Sequence, residues 1–265
     1  MRPVSVAGIG LFCPAGVGQE GATGGRPGEV PGFRARAYVE NRKNLKLMSR
    51  AVQLGVSAVR LAVSATDGFG DVPPERRGMF VGATPVGGEI GDLVPAIDVA
   101  TNDLGELDLK RFGEHGYRLI HPLWLVKGLS NNVLGFASAV HDLQGTNANY
   151  CDGDASGAIA LREGWAAVAE GRADLVVAGA ADAWVGLEAV LAGRRAGEGA
   201  AFFVLRVAHP DDRFVVGPAD AAPLADEEPI LGYLGAATTP VSVARTLLRR
   251  EAVGVDGLRW GPPEA

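Results

Sequence analysis

The chain has 265 residues, is 47% apolar, and carries a formal net charge of −6. A chain of that length buries a core without disulfide staples. Its acidity argues against nucleic acid or an anionic membrane surface as the main partner. It has no run of 18 apolar residues, and the short glycine-rich apolar start does not read as a signal peptide, so a soluble cytoplasmic protein is expected.

In chain order, Val4 to Ile9 reads as a buried strand and Gly10 to Pro31 as a turn-rich surface loop. Apolar residues at helical spacing from Leu47 to Ala62 predict a helix over Asn44–Ala65. The basic stretch Asn41-Arg-Lys-Asn-Leu-Lys46 is read as solvating the start of that helix rather than gripping phosphate. Gly78–Gly82 reads as a short buried strand, and residues 88–118 give no clear period. Pro122–Asn131 reads as a loop with apolar anchors, Val133–His141 as a short helix and Gly145–Tyr150 as a strand. Ala155–Glu170 is helical, with Ala158, Leu161, Trp165, Val168 and Ala169 on one face. Asp152 or Asp154 is expected to cap it, and Gly171 to end it. Leu175–Ala180 and 201–207 are continuous apolar strands, 208–229 a Pro/Asp-rich loop, and Ser242–Arg250 a last helix. Unbroken apolar strands alternating with helices indicate a layered α/β fold.

Several catalytic motifs are excluded. Gly8-Ile-Gly10 follows a strand, but Cys13 stands where a dinucleotide fingerprint needs its third glycine. Neither a phosphate-binding G-x-x-x-x-G-K-[ST], nor H-E-x-x-H, nor G-x-S-x-G is present. The two cysteines, Cys13 and Cys151, form no C-x-x-C, so neither a metal site nor a cofactor is expected. Of the four histidines, only His141 lies near Cys151 in sequence. Residues 147–159 read NANYCDGDASGAI, a polar glycine-containing turn running into a helix. Cys151 there is either a thiol activated by the helix dipole or a small hydrophobe at a strand end.

Motifs from His121 to Asp182 resemble the N-terminal half of a β-ketoacyl synthase, a condensing enzyme of thiolase fold. Ser130-Asn-Asn-Val-Leu-Gly135 is similar to the family's P-N-x-x-x-G, and Leu143-Gln-Gly-Thr-Asn147 to its L-x-G-P-N. Ala155-Ser-Gly157 matches the end of its T-A-C-A-S-G, and Gly171-Arg-Ala-Asp174 through Gly179 its G-x-A-D-x-x-x-A-G. Gly197-Glu-Gly-Ala200 resembles its G-E-G-A. Val4–Gly10 and Lys46–Arg50 resemble its first strand and the opening of its first long helix.

The resemblance implies a layered thiolase-like fold, with residues 1–207 as the N-terminal-like domain and 208–265 as a short degenerate C-terminal segment packed on it. Counting from Gly145 and Asn147, the family's nucleophilic cysteine falls on Asp154, and Cys151 lies three residues earlier. Both family histidines are missing: Leu231-Gly-Tyr-Leu-Gly-Ala-Ala237 resembles G-H-x-x-G-A-A-G without its histidine. Condensation needs a thiolate, histidines and an oxyanion hole. The resemblance therefore implies a non-catalytic homologue of the chain-length-factor kind.

Such a subunit pairs with an active ketosynthase, or with itself, through the strand before the nucleophile, here about Asn147 to Cys151. An acyl carrier protein is a further candidate partner. Half a fold would also leave one sheet face for the tail or a partner to cover. Two alternatives remain open at this level. One is an acyl-thioester decarboxylase or thioesterase using Asp154, Cys151 and His141. The other is an acyl- or pantetheine-binding module with a pocket near Asn131, Phe136, Asp154 and Ser156.

Overall fold

The computed structural model describes residues 1–84, 90–188 and 191–263. Its centre is one mixed sheet. β1 (Val4–Cys13) is antiparallel to β6 (Glu198–Val207), and β6 to β5 (Leu175–Ala183). β3 (Arg77–Gly82) runs parallel to β5 and to β4 (Asn147–Tyr150), which forms one sheet edge. On the other side of β1 the sheet continues through β7 (Phe214–Pro218), β9 (Leu258–Gly261) and β8 (Val253–Val255). A two-residue strand, β2 (Gly16–Val17), pairs back on the end of β1.

Helices cover both faces. Along β5 and β6 successive side chains alternate between them. Met79, Val177, Phe202 and Val204 join Leu54 and Val59 of α1 (Arg50–Ser64) and Val133 of α5 (Asn132–His141) in one core. Val176, Ala178, Phe203 and Leu205 pack on the other side with α6 (Ser156–Ala169) and α8 (Thr238–Leu248). Both strands are buried on two faces, which is why they read as unbroken apolar runs.

The glycines of β1 answer to the same packing. A Cβ on Gly10 would stand 1.9 Å from the carbonyl oxygen of Ala58, so α1 lies directly on the strand backbone. The Gly8-Ile-Gly10 pattern is thus explained by helix-on-sheet contact.

Several expectations need correction. β1 runs on to Cys13, and the stretch expected to be a loop holds β2 and a 3-10 turn over Gly18–Ala22. The first long helix begins at Arg50, because Met48 is extended and the Ser49 hydroxyl accepts the Val52 N–H at 3.4 Å; Asn44–Leu47 is a separate 3-10 turn. Within 88–118, whose first two residues lie outside the described ones, α2 (Val94–Ala100) and α3 (Leu109–Glu114) form. A single-turn α4 (Trp124–Lys127) interrupts the expected loop at 122–131. Residues 208–229 contain β7, paired with Val4–Val6, and the single-turn α7 (Glu228–Leu231) begins where that stretch ends.

The tail extends the sheet with β7, β9 and β8 and packs α8 on one of its faces. β8 and β9 close a hairpin over Asp256-Gly257, whose φ values of 49° and 75° match the left-handed requirement of a two-residue turn. Trp260 is fully buried, its ring 5.5 Å from that of Phe203. Among the described residues, no helix is long and apolar enough to cross a membrane.

Candidate functional site

β3, β4 and β5 end at the same side of the sheet, and the turn after β4 leads through Cys151–Ala155 into α6. What holds that turn is Ser156. Its buried hydroxyl accepts the Asp152 backbone N–H at 2.7 Å and donates to the Gly153 carbonyl at 2.7 Å. Neither aspartate caps the helix, contrary to expectation: Asp152 makes no side-chain cap bond, and Ala155 stands at the start of α6. Asp154 lies inside a 3-10 turn instead, and its carboxylate is bonded by a residue of the tail.

There it meets Tyr233. The phenol O–H donates to Asp154 Oδ1, joining residues 79 positions apart. Tyr233 sits in a short bridge beside 194–197, its N–H donating to the Arg195 carbonyl at 2.7 Å and its carbonyl accepting the Gly197 N–H at 3.1 Å. The Arg194 guanidinium lies 3.8 Å from its ring centroid, and the Trp184 ring is 5.0 Å away on another side. Arg194 is itself held by Glu228, with Nε to Oε1 at 2.9 Å. Partial burial, with the Asp154 hydrogen bond and charge adding to it, pushes the phenol up to about 12. At neutral pH this hydroxyl is a donor and not a base.

A second carboxyl anchors the same segment from below. Asp182, buried at the end of β5, accepts from Thr84 Oγ1 at 3.1 Å, the Ala183 N–H at 3.0 Å and the Ala236 N–H at 3.2 Å. Burial raises it to about 6 against the pull of these donors. Gly235 has φ 52°, and a Cβ there would fall 2.2 Å from Asp182 Oδ2. That position therefore needs glycine for both its backbone and its space. A cavity of about 30 Å³, room for one water, is lined by Asp182, Thr84, Ser130 and Lys127 among others.

The other expected site residues do not converge here. Cys151 is an exposed free thiol beside the Asn149 amide nitrogen at 3.2 Å, and Asn149 also reaches Ser130. Asn131 is exposed at the start of α5 with no side-chain cap bond. Phe136 packs half-buried into the α1/α5 core, on the opposite face of the sheet from α6, so the expected pocket at the mouth of α6 is not assembled from these residues. His141 ends α5, a helix about 15 Å long that starts near Ser130 and runs away from Cys151. It lies edge-on to Phe69, and burial, with Arg60 nearby, lowers it to about 4. The catalytic trio Asp154, Cys151 and His141 is therefore not formed. Among the described residues, no group of three or more His, Cys, Asp or Glu is placed to hold a metal ion.

Tyr233, Arg194, Trp184 and Asp182 were not singled out from sequence. Tyr233 lies in the segment similar to the histidine-bearing motif, one residue after Gly232, where that histidine would fall.

No family model matches the sequence, and no curated protein does. Solved structures do. The ishigamide ketosynthase/chain length factor superposes with a TM-score of 0.70 at 16% identity, over 94% of this chain and 87% of that one. A β-ketoacyl synthase from Burkholderia phymatum STM815 matches at 0.68 and 14% identity, over the whole of both chains. The AntDE:AntF complex, a type II acyl-carrier protein with its ketosynthase bound to the hexaketide, matches at 0.60 and 20% identity, and here the chain spans 64% of the other's length. The chain has the layered α/β fold of the ketosynthases and chain-length factors.

Proposed function

We propose that this chain is a non-catalytic ketosynthase-like subunit that partners an active ketosynthase in polyketide or fatty-acid-like biosynthesis. The observation that carries this reading is the Asp154–Tyr233 hydrogen bond. In the resemblance, Asp154 takes the nucleophile's position, and its partner Tyr233 lies in the segment that lacks the family's histidine. A carboxylate is a weak nucleophile, and the phenol bonded to it lowers its reactivity further. An acyl group on it would be a mixed anhydride, open to hydrolysis. A phenol held near 12 takes no proton from a substrate at neutral pH. The pair tidies the position rather than arming it.

The sheet edge supports partnering. β4 pairs only with β3, and its outer side is free among the described residues. A bare edge presents N–H and C=O groups to another strand. Leu125 and Leu129, in the segment leading to Ser130 beside it, are exposed at 72% and 52%. Exposed apolar area of that kind marks interaction surfaces. The neighbours named for ketosynthase/chain-length-factor pairs and for a carrier-protein complex fit the same setting.

The test is intact-mass analysis of the purified chain incubated with acyl- and malonyl-carrier proteins. No covalent acyl adduct and no carbon dioxide release are expected. An adduct on Cys151, or turnover that Asp154→Ala abolishes, would sink the reading in favour of an acyl-thioester enzyme.

A further inference from the structure

The two edges of β1 are covered differently. One is paired with β6 over almost its whole length, from Val4 to Phe12. The other meets β7 at residues 4–6 and β2 at residues 12–13, so among the described residues 7–11 face no strand there. Ala7 is a bulge on the β6 side as well, because Val6 pairs with Leu205 and Gly8 with Val204, and it has a strand partner on neither side. A cleft of about 430 Å³ opens along this gap. It is lined by β1 residues 6–9, by Asp67 just after α1, by Leu248 of α8 and by the turn that precedes β7.

The walls of the cleft are tied in place. Asp212, in the turn before β7, accepts from the buried Ser5 hydroxyl and from the Arg206 guanidinium at 2.6 and 3.0 Å. Arg206 Nη1 also donates to the Asp67 carbonyl at 3.0 Å, so one guanidinium joins β6, the turn and the end of α1. The gap has a direction too. β2 and β7, which flank it, both run antiparallel to β1. A segment filling the gap in the same sense would run from the end of β2 toward Phe214 and finish beside Arg213. Arg213 and Arg250 are exposed and line a neighbouring hollow of about 350 Å³ with Phe214 and Pro262. Neither forms an ion pair among the described residues.

We infer that this gap binds the free C-terminal end of a partner polypeptide as an added antiparallel strand. An open strand edge offers backbone N–H and C=O groups to an extended chain, and the pockets beside it choose the side chains. Charge selects the direction. An antiparallel guest brings its terminal carboxylate to Arg213 and Arg250, whereas a guest arriving by its other end would bring an ammonium group there. Alternate side chains of a strand point to opposite faces. The guest therefore meets Asp67 on the α1 side and Leu248 on the α8 side, which favours a basic residue alternating with apolar ones. The cleft stands apart from the Asp154–Tyr233 pair. α8 starts beside that pair's segment and reaches the cleft only at its other end, 11 residues or about 16 Å later. The inference does not depend on ketosynthase pairing.

The test is fluorescence anisotropy of the full chain with an N-terminally labelled pentapeptide, Thr-Val-Lys-Val-Val, ending in a free carboxylate. Saturable binding is expected, with amide hydrogen exchange slowed over residues 6–11. The same peptide ending in an amide is expected to bind about tenfold more weakly, the size of one lost charge-assisted contact. Methylation of its inner backbone nitrogens is expected to abolish binding, which side-chain contact alone would not require. The R213A/R250A variant is expected to bind the acid as weakly as the amide, at unchanged melting temperature. A K110A/R118A variant, with exposed cations elsewhere, is expected to bind as the wild type does. Absent saturable binding, equal binding of acid and amide, an acid preference that survives in R213A/R250A, or undiminished binding of the methylated peptide overturns the proposal. No ketosynthase is present in this assay, so its failure leaves the pairing reading to its own test.

Discussion

Asp154 and Tyr233 meet across the candidate site although they stand 79 positions apart in sequence. Tyr233→Phe keeps the ring under Arg194 and beside Trp184 but removes the donor to Asp154. We expect a loss of about 1 kcal/mol in chemical denaturation, the usual size for one partly exposed hydrogen bond. The phenol also reports on its partner. Its contribution is fully present below the ordinary phenol value of 10.0 and is lost as pH rises through about 12. Absorbance titration of Asp154→Asn should therefore find Tyr233 ionising closer to 10. Unchanged titration would mean that the bond does not form in solution.

Two groups, the half-buried His141 and the buried Asp182, act oppositely in acid. His141, lowered to about 4, supports the fold above 6.5, and that support is lost as pH falls through about 4. Asp182, raised to about 6, contributes most below 3.8, and that contribution is lost as pH rises through about 6. His141→Phe should accordingly lose less stability than wild type on acidification from pH 6.5, measured by urea melts across the range.

At the scale of elements, the sheet and its two helical layers rest on close backbone approach and a few buried ties. Gly10→Ala would push α1 off β1 and should cost about 2 kcal/mol, as overpacking does. Glu198 is 1% exposed and holds Arg50 of α1 and the Val30 amide at once. Glu198→Ala leaves both unpaired and should cost about 3 kcal/mol, with the segment around Val30 exchanging amide hydrogens faster.

The elements legible in sequence were those buried on both faces. β3, β5 and β6 declare themselves as apolar runs, and α1 by its period, because burial leaves no choice of residue. The tail was less legible. β7 is short and only Val216 within it is buried, so its Pro/Asp-rich surroundings dominated the reading. The β8–β9 hairpin did carry a signal, Asp256-Gly257 between apolar residues. The site divides the same way. Motif spacing pointed to Asp154, but its partner lies in a segment whose place is set by Asp182 and by the 195–197 bridge, contacts that no local pattern encodes.

As a whole molecule, the chain completes its own core with its tail, leaving the β4 edge and the 7–11 gap of β1 open. Trp260→Ala should cost about 4 kcal/mol, because the tail is integral to the core and the indole is fully buried against Phe203. That loss would appear as a cooperative shift of the entire unfolding transition.

The central claim is that this chain works as a subunit. The most direct measurement is native mass spectrometry of the tagged protein purified from its own host. A near-stoichiometric complex with a chain carrying an intact Cys/His/His set is the predicted result. Recovery of the protein alone, as monomer or as a dimer of itself, with measurable acyl-thioester turnover, would contradict it.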